Sequence, residues 1–544
     1  MSGRATRVFF NGTVHTLDER RGVASAIALD GERVLAAGGD AAMRDLATPN
    51  AVRTDLQGRT VVPGLIDSHN HLLQTGLNAE HVDLAQARTV QDVLDACGER
   101  AAQTPADNWV ISSSRWHESQ LAEQRFPTRD ELDSIADGRP LLIRRGGHNV
   151  VANSAALALA GIDEETVNPR GGTFVRDAAG RLTGHVIGRP AYERLTRLLP
   201  DPTDEQMVAA IARACRLYNA AGITGVIEPG LGAAELRAYQ QARGAGRLSV
   251  RTVLMPRLAP GIEGDAEGRA LGALAASPLL TGLGDDWLRI GGIKIVADGG
   301  VETNFLREPY AHADDLESPR GKPQVSEQNL AAVCVAAAKL GWQVGVHCVG
   351  DAAIDLVLQA FVAADRAVGI RALRWTLIHM ILARPEHFET ARRLGLGIAA
   401  QQPLIYALGA GWVKYWGPER AAHAMPLRAF SASGLPVGGG SDSPVTPYQP
   451  LLGIWSSATR QTQLAGVVGA EQAIPPAEAL AWYTRGSAWL SFDEARRGSL
   501  EPGKLADLVV LSADPLRVPA DAIQEIAVAE TVVGGQTVFS AEGL

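Results

Sequence analysis

Short apolar runs recur through the second half of the chain, each preceded by an Ala- or Leu-rich stretch and a glycine and closed by a polar residue. The segments are RLYNAAGITGVIE, AAAKLGWQVGVH, ARRLGLGIAAQ and FSASGLPVGGGSD. Each predicts a helix, a stop and a buried strand. Gly222, Gly341, Gly395 and Gly434 are placed to take the left-handed position after a helix. The strands are apolar throughout instead of alternating, as a sheet covered on both faces requires. VVPGLIDSH, LSVRTVLMP, LRIGGIKIVA and LRWTLIH bring the strand count to about eight, the number that closes a parallel barrel. The expected fold class is therefore α/β, a (β/α)8 TIM-type barrel between about residues 61 and 490.

The two ends carry a different pattern. SAIALDGERVLAAG predicts two strands around Asp30-Gly31, and ADLVVL and AETVVGGQTVF predict strands with a turn at Gly534-Gly535. Neither end buries a face alone, so residues 1–60 and 491–544 are expected to form one small β-sandwich domain. The barrel then takes 61–83 and 206–490. The stretch 84–205 is too long for a barrel loop. It predicts an inserted subdomain after the first barrel strand, serving as a lid over the substrate.

Composition narrows the function. The chain has 544 residues, 46% hydrophobic and 20% charged, as in an ordinary soluble protein of more than one domain. A net charge of −9 argues against nucleic acid as a partner, because no basic stripe is present. Cys97, Cys215, Cys334 and Cys348 lack paired spacing and are expected to be buried thiols in a reducing compartment. No signal-peptide core or membrane-length apolar run is seen. The expectation is a cytoplasmic protein with no membrane partner and a small-molecule substrate. A homodimer is the default oligomer.

The polar residues that close the strands carry the chemistry. His69 and His71 are two apart, so on a strand both imidazoles point to one side. His347 and His379 close two further strands. Each of these four alone also fits a hydrogen-bonded histidine at a strand end; together they suggest ligands of one metal centre. Asp442 suits a turn beside Ser441 and Ser443, or a metal-bound general base. Lys294 lies inside an apolar strand, where an unpaired ammonium is costly. It is expected to be paired with Asp298 or Glu228, or carbamylated so that it bridges two cations.

At these residues the chain resembles the amidohydrolase superfamily, in particular amidohydrolase family 3. The resemblance rests on PGLIDSHNHL at 63–72, GGIKIVADGG at 291–300, VHCVGDAAID at 346–355, GGGSDSPV at 438–445 and GSLEPGKLADLVVL at 498–511. It implies that His69 and His71 bind one metal, that His347 and His379 bind a second, and that Lys294 bridges them as N6-carboxylysine. Asp442 becomes both ligand and proton shuttle. Zinc, as one ion or two, suits these donors. The implied reaction is hydrolysis of an amide, N-formyl, N-acyl or cyclic amide C–N bond by metal-activated water. Deamination, ester or lactone hydrolysis, a lyase step, or a scaffold without catalysis are the alternatives. The chain departs from the family pattern at Ile378, where relatives often carry Glu, and at Glu228, where they commonly carry Asp.

Other residues are expected to shape the pocket. Trp116, His117 and Glu118 resemble a substrate-side patch of the family, or form a surface turn. His148 resembles a pocket-facing histidine of relatives, and Gln402 is expected to line the pocket without touching metal. Trp412, Tyr415, Trp416 and Tyr406 are placed near the mouth, suggesting an apolar substituent on the substrate. Asn153 and Asp351 predict helix caps. Cys348 should point away from the site. His15, His81, His312, His387 and His423 are expected at the surface.

Overall fold

The computed structural model describes residues 4–18, 22–113, 116, 118–145, 149–169, 172–262, 264–311 and 318–541. The chain separates into two units, residues 1–72 with 215–544, and residues 73–214. The inserted unit is thus wider at both ends than the expected 84–205.

In the first unit nine strand segments build the barrel: β1 (Leu65–Asp67), β2 (Ile223–Leu231), β3 (Arg251–Pro256), β4 (Leu288–Ile290), β5 (Ile293–Val296), β6 (Val344–Cys348), β7 (Thr376–His379), β8 (Gly397–Ala400) and β9 (Val437–Gly439). They form two parallel sheets, in the orders β4-β3-β2-β1 and β5-β6-β7-β8-β9. β4 and β5 are halves of one stave, interrupted at Gly291-Gly292, so the barrel has eight staves among the described residues. One seam is closed by Leu258 N–H donating to Lys294 O at 2.8 Å and Gly291 N–H to Leu254 O at 2.8 Å. The other joins first strand to last: Ser68 N–H donates to Gly439 O at 2.8 Å and Asp442 N–H to His69 O at 2.7 Å. Inside, Ile227, Val253, Met255, Ile378, Ala399 and Leu490 pack together. The strands are buried almost throughout, which explains their unbroken apolar pattern. Gly222, Gly341, Gly395 and Gly434 all take positive φ, as expected at their helix ends.

The two ends of the chain meet in a six-stranded sheet that places Gln536–Ser540, Val528–Val533 and Leu508–Leu511 beside Thr60–Pro63, Thr13–His15 and Val23–Ala24. Beside it lies a four-stranded sheet of Arg33–Gly38, Ala26–Asp30, Ala5–Phe10 and Ala47–Asp55. Phe9, Val14, Ile27, Leu29, Val61, Leu508, Val510 and Val532 share one core. Both hairpins expected at Asp30-Gly31 and Gly534-Gly535 are present. Arg251 of β3 makes two hydrogen bonds to Asp507, 2.8 and 3.0 Å, with both side chains buried.

The second unit holds a five-stranded sheet, Thr173–Arg176, Leu182–Ile187, Asn149–Ala152, Leu141–Arg145 and Val110–Ile111. Asn153 caps the helix Ser154–Leu159, accepting from Ala156 N–H at 3.0 Å. No described helix is long and apolar enough to cross a membrane. All four cysteines are free and buried.

Candidate metal centre

The strand ends bring the histidines together. The His69 and His71 ring centroids are 5.5 Å apart, His69 and His379 5.1 Å, and His347 and His379 4.6 Å, all edge-on. Asp442 Oδ1 lies 3.3 Å from Nε2 of both His69 and His71. One ligand atom from each of these three residues falls within 4.8 Å of the others. Lys294 is buried on β5, and its Nζ has no hydrogen-bond partner among the described residues. The expected ion pair to Asp298 or Glu228 is therefore not the arrangement found. His379 (φ 72°) and Asp442 (φ 62°) both take left-handed backbone, a cost for non-glycine residues that clusters at functional sites.

The electrostatics suit a cation. Burial, aided by the Lys294 charge, pushes His69 down to about 3 and His347 down to about 4. Burial also holds His379 well below the ordinary imidazole range. These rings are neutral at pH 7 and offer lone pairs. His71 moves the other way: burial lowers it, but the hydrogen bond and charge of Asp442 outweigh burial and raise it. Asp442 stays ionised despite its burial, with its pKa well below the carboxylate range in the field of His379, His69 and His71. Burial draws the Lys294 amine down to about 7, against the pull of Asp442. Neutral imidazoles, an ionised carboxylate, an unpaired amine and the unpartnered His379 Nδ1 form a donor set that fits a divalent ion.

Three buried carboxylates hold this cluster in shape: Asp67, which the sequence reading passed over, and Asp298 and Glu228, which it weighed only as partners of Lys294. Asp67 is completely buried; Oδ1 accepts from His69 N–H (3.1 Å) and Ser441 N–H (3.0 Å), and Oδ2 from Ser441 Oγ (2.6 Å). Burial lifts its pKa to about 7 against those hydrogen bonds. A Cβ on Gly440 would sit 2.8 Å from Asp67 Oδ1 and 2.9 Å from His69 N, so this seam requires glycine there. Asp298 accepts from Val349, Gly350 and Phe305 N–H at 2.9–3.0 Å, and His347 Nε2 lies 3.5 Å from it while donating to Gly299 O at 3.2 Å. Glu228 accepts from Leu72 N–H. The signal for all three was available: each is an acidic residue inside an apolar strand or at its end.

Other residues singled out in the sequence take the following places. Gln402 is fully buried, its Oε1 accepting from Gly440 N–H at 3.3 Å. Trp412 and Trp416 are buried and stacked in the helix Pro403–Trp416, so they pack instead of facing the mouth. Asp351 opens the helix Asp351–Val368 and accepts from Ala352 N–H at 3.0 Å in its first turn, but it also binds Arg307 N–H and Arg384, while Asp298 satisfies the N–H groups just before that helix. His15 and His387 are not surface residues: each is buried against an aspartate, Asp514 and Asp355. Cys348 Sγ turns to Ile378 O at 3.7 Å. In the second unit Trp116 is buried, with its indole N–H donating to Arg144 O at 2.7 Å, and Glu118 pairs with Arg145. His117, His148 and His312 lie outside the described residues.

The amidohydrolase family profile matches residues 54–539, nearly the whole chain. The chain belongs to the amidohydrolase family. It is 30% identical over 539 residues to an N-substituted formamide deformylase of Arthrobacter pascens, covering 97% of each chain. It is 28% identical over 545 residues to the putative amidohydrolase YtcJ of Bacillus subtilis, covering 98% of this chain and 99% of that one. The crystal structure of an uncharacterized metal-dependent hydrolase from Pyrococcus horikoshii superposes with a TM-score of 0.74 at 25% identity, covering 94% of this chain and 99% of that one. With this membership and the cluster of donors, the amidohydrolase is a metal-dependent enzyme acting on carbon–nitrogen bonds other than peptide bonds.

Proposed function

We propose that this amidohydrolase cleaves an N-formyl, N-acyl or cyclic amide bond of a small molecule. The observation that carries the reading is the convergence of four histidines and Asp442 from the ends of four barrel strands, with Lys294 near enough for its charge to act on His69 and His347. His69, His71 and Asp442 would hold one divalent ion, with zinc the best match to these donors. His347 and His379 would hold a second, and Lys294, as N6-carboxylysine, would bridge the pair. The neutral amine that such carboxylation needs is supplied by burial. A divalent ion there supplies Lewis acidity, which acidifies water and polarises an acyl carbonyl.

The chain's own groups do the rest. Asp442 takes the proton of the attacking water and returns it to the leaving nitrogen, working as base and then acid. His71, the most exposed of the cluster at 31% of its side chain, stands nearest solvent. The left-handed backbone at His379 and Asp442 fixes both side chains before substrate arrives. The same reading treats the terminal sheets as a separate small domain flanking the barrel, and places the enzyme in the cytoplasm as a homodimer.

The test combines metal analysis with a panel of N-formyl and N-acyl amines, lactams and matched esters. Freshly purified protein should hold at least one zinc per chain and turn over amides. Asp442→Asn should lower kcat about 10²–10⁴-fold with little change in KM. Wild-type turnover by that variant would refute the assigned shuttle.

A further inference from the structure

Arg144 lies near the end of the strand Leu141–Arg145 in the second unit, and its Nε is shielded from solvent without a hydrogen bond. Its guanidinium makes no ion pair or hydrogen bond with any described residue. The next residue gives the contrast: Arg145 is held by both oxygens of Glu118, at 2.9 and 3.0 Å. A guanidinium cannot shed its charge, so one partly withdrawn from water without an acceptor calls for a counter-ion.

Two further unpaired groups share its side of the sheet. Three parallel strands run together here, with Leu141 and Leu142 level with Val110 and Ile111, and Val82 level with Ser112. Ser112 N–H donates to Leu142 O at 3.1 Å and Ser113 N–H to Val82 O at 2.8 Å, which carries the register on to Arg144 beside Ser113. Val82, Val110, Leu141 and Ile143 face one core and Leu142 faces another. By alternation His81, Ser113 and Arg144 fall on the side of Leu142. Ser113 is buried and its Oγ has no partner, whereas Ser112 Oγ donates to Ser113 O at 2.9 Å. His81 Nδ1 is likewise shielded and unpartnered. Burial, with the charges of Arg144 and Arg100, pushes His81 down to about 4, so its ring is neutral at pH 7 and near enough to feel both guanidinium groups. No described carboxylate pairs with Arg144. Glu80 pairs with Arg213, and Asp83, level with Ser113, is exposed and accepts from Ala85 N–H at 3.1 Å. His81 and Arg144 are each only half-buried, so the group opens to solvent.

We propose that Arg144, Ser113 and His81 form a binding site for a small monocarboxylate at the C-terminal ends of these parallel strands. The planar fork of Arg144 matches the two oxygens of a carboxylate. The Ser113 hydroxyl and the neutral His81 ring each add one donor. Arg100 is turned to Glu80 O, so Arg144 supplies one positive charge, the complement of one carboxylate. A neutral amide of the same shape presents an NH2 to the fork and is refused. None of the three residues is a proposed metal ligand.

The experiment uses phenylglyoxal, which adds to unpaired guanidinium groups. The reagent is applied to the zinc-loaded full chain in propionate, propionamide or chloride at matched ionic strength, and each arginine is read by peptide mass spectrometry. Arg144 should react readily in chloride. Saturating propionate should slow that reaction at least about tenfold, and propionamide should leave it unchanged. Arg145, tied to Glu118, is the internal reference and should respond to neither. Ser113→Ala should raise the propionate concentration for half-protection about three- to tenfold without changing the rate in chloride. An Arg144 that resists the reagent in chloride, absent protection, equal protection by propionate and propionamide, or half-protection unmoved by Ser113→Ala would overturn the proposal.

Discussion

Lys294→Met should stabilise the metal-free protein, even though it removes a residue of the proposed centre. The amine is buried, has no hydrogen-bond partner, and titrates near 7 instead of 10.5. At about 1.4 kcal/mol per pKa unit, that depression corresponds to a destabilisation of about 5 kcal/mol, an upper figure. It is fully present below pH 7, where the folded state must also carry the proton. Between pH 7 and 10.5 the unfolded chain binds more protons than the folded one, so wild-type stability rises with pH, and above 10.5 the penalty is gone. Methionine has a similar length and no charge to desolvate. Chelator-treated Lys294→Met protein should therefore melt several degrees above chelator-treated wild type at pH 6, with the gap closing by pH 10. Because large multidomain chains commonly unfold irreversibly, both melts belong at one scan rate. With zinc and bicarbonate added, the order should invert, since only the wild type gains the bridged ions by mass action. A variant that melts lower than metal-free wild type at pH 6, or a gap independent of pH, would mean that the amine has a partner and that its environment has been misread.

Three further outcomes follow from the same geometry. Asp442 raises the pKa of His71 above its ordinary 6.5, yet a ligand must be neutral, so zinc binding at pH 6.5 should release more than half a proton from this ring; calorimetric heats that do not vary with buffer ionisation enthalpy would exclude this. Asp67→Ala leaves His69 N–H, Ser441 N–H and Ser441 Oγ buried without their acceptor, at about 1–3 kcal/mol each. Both melting temperature and zinc content should fall, and wild-type values of both would remove Asp67 from any positioning role. Arg251→Ala strands Asp507 in the interior and should cost about 3–5 kcal/mol, visible as a lowered melting temperature without altered zinc stoichiometry.

The fold was legible because the barrel repeats one local grammar. Helix, left-handed glycine, apolar strand and polar terminus recur, and each piece is readable within a dozen or so residues. The histidines and Asp442 were legible for the same reason, since each lies at or just past the end of its strand. What the sequence left open is whatever depends on contacts across the chain. Asp67 and Ser441 are 374 positions apart, and nothing local to either announces the pair. His15 and His387 looked like isolated polar residues until Asp514 and Asp355 were seen against them. The tryptophans of Pro403–Trp416 lie on a helix, where sequence proximity to the mouth says little about facing.

The buried carboxylates explain how the mouth keeps its geometry. Asp67, Asp298 and Glu228 are each nearly or wholly inaccessible, a costly placement for an acid unless its oxygens are hydrogen-bonded. Each accepts from backbone N–H groups of the loops that carry or adjoin the histidines: Asp67 from His69 and Ser441, Asp298 from Val349, Gly350 and Phe305, Glu228 from Leu72. Backbone donors fix a loop without adding a competing ligand to the centre. The loops are therefore anchored to the strands by hydrogen bonds that involve none of the proposed ligand side chains, with neighbouring imidazole centroids 4.6–5.5 Å apart. An ion entering such a site meets donors whose ordering cost was met during folding, which favours tight binding and a fixed position for the water that Asp442 must deprotonate.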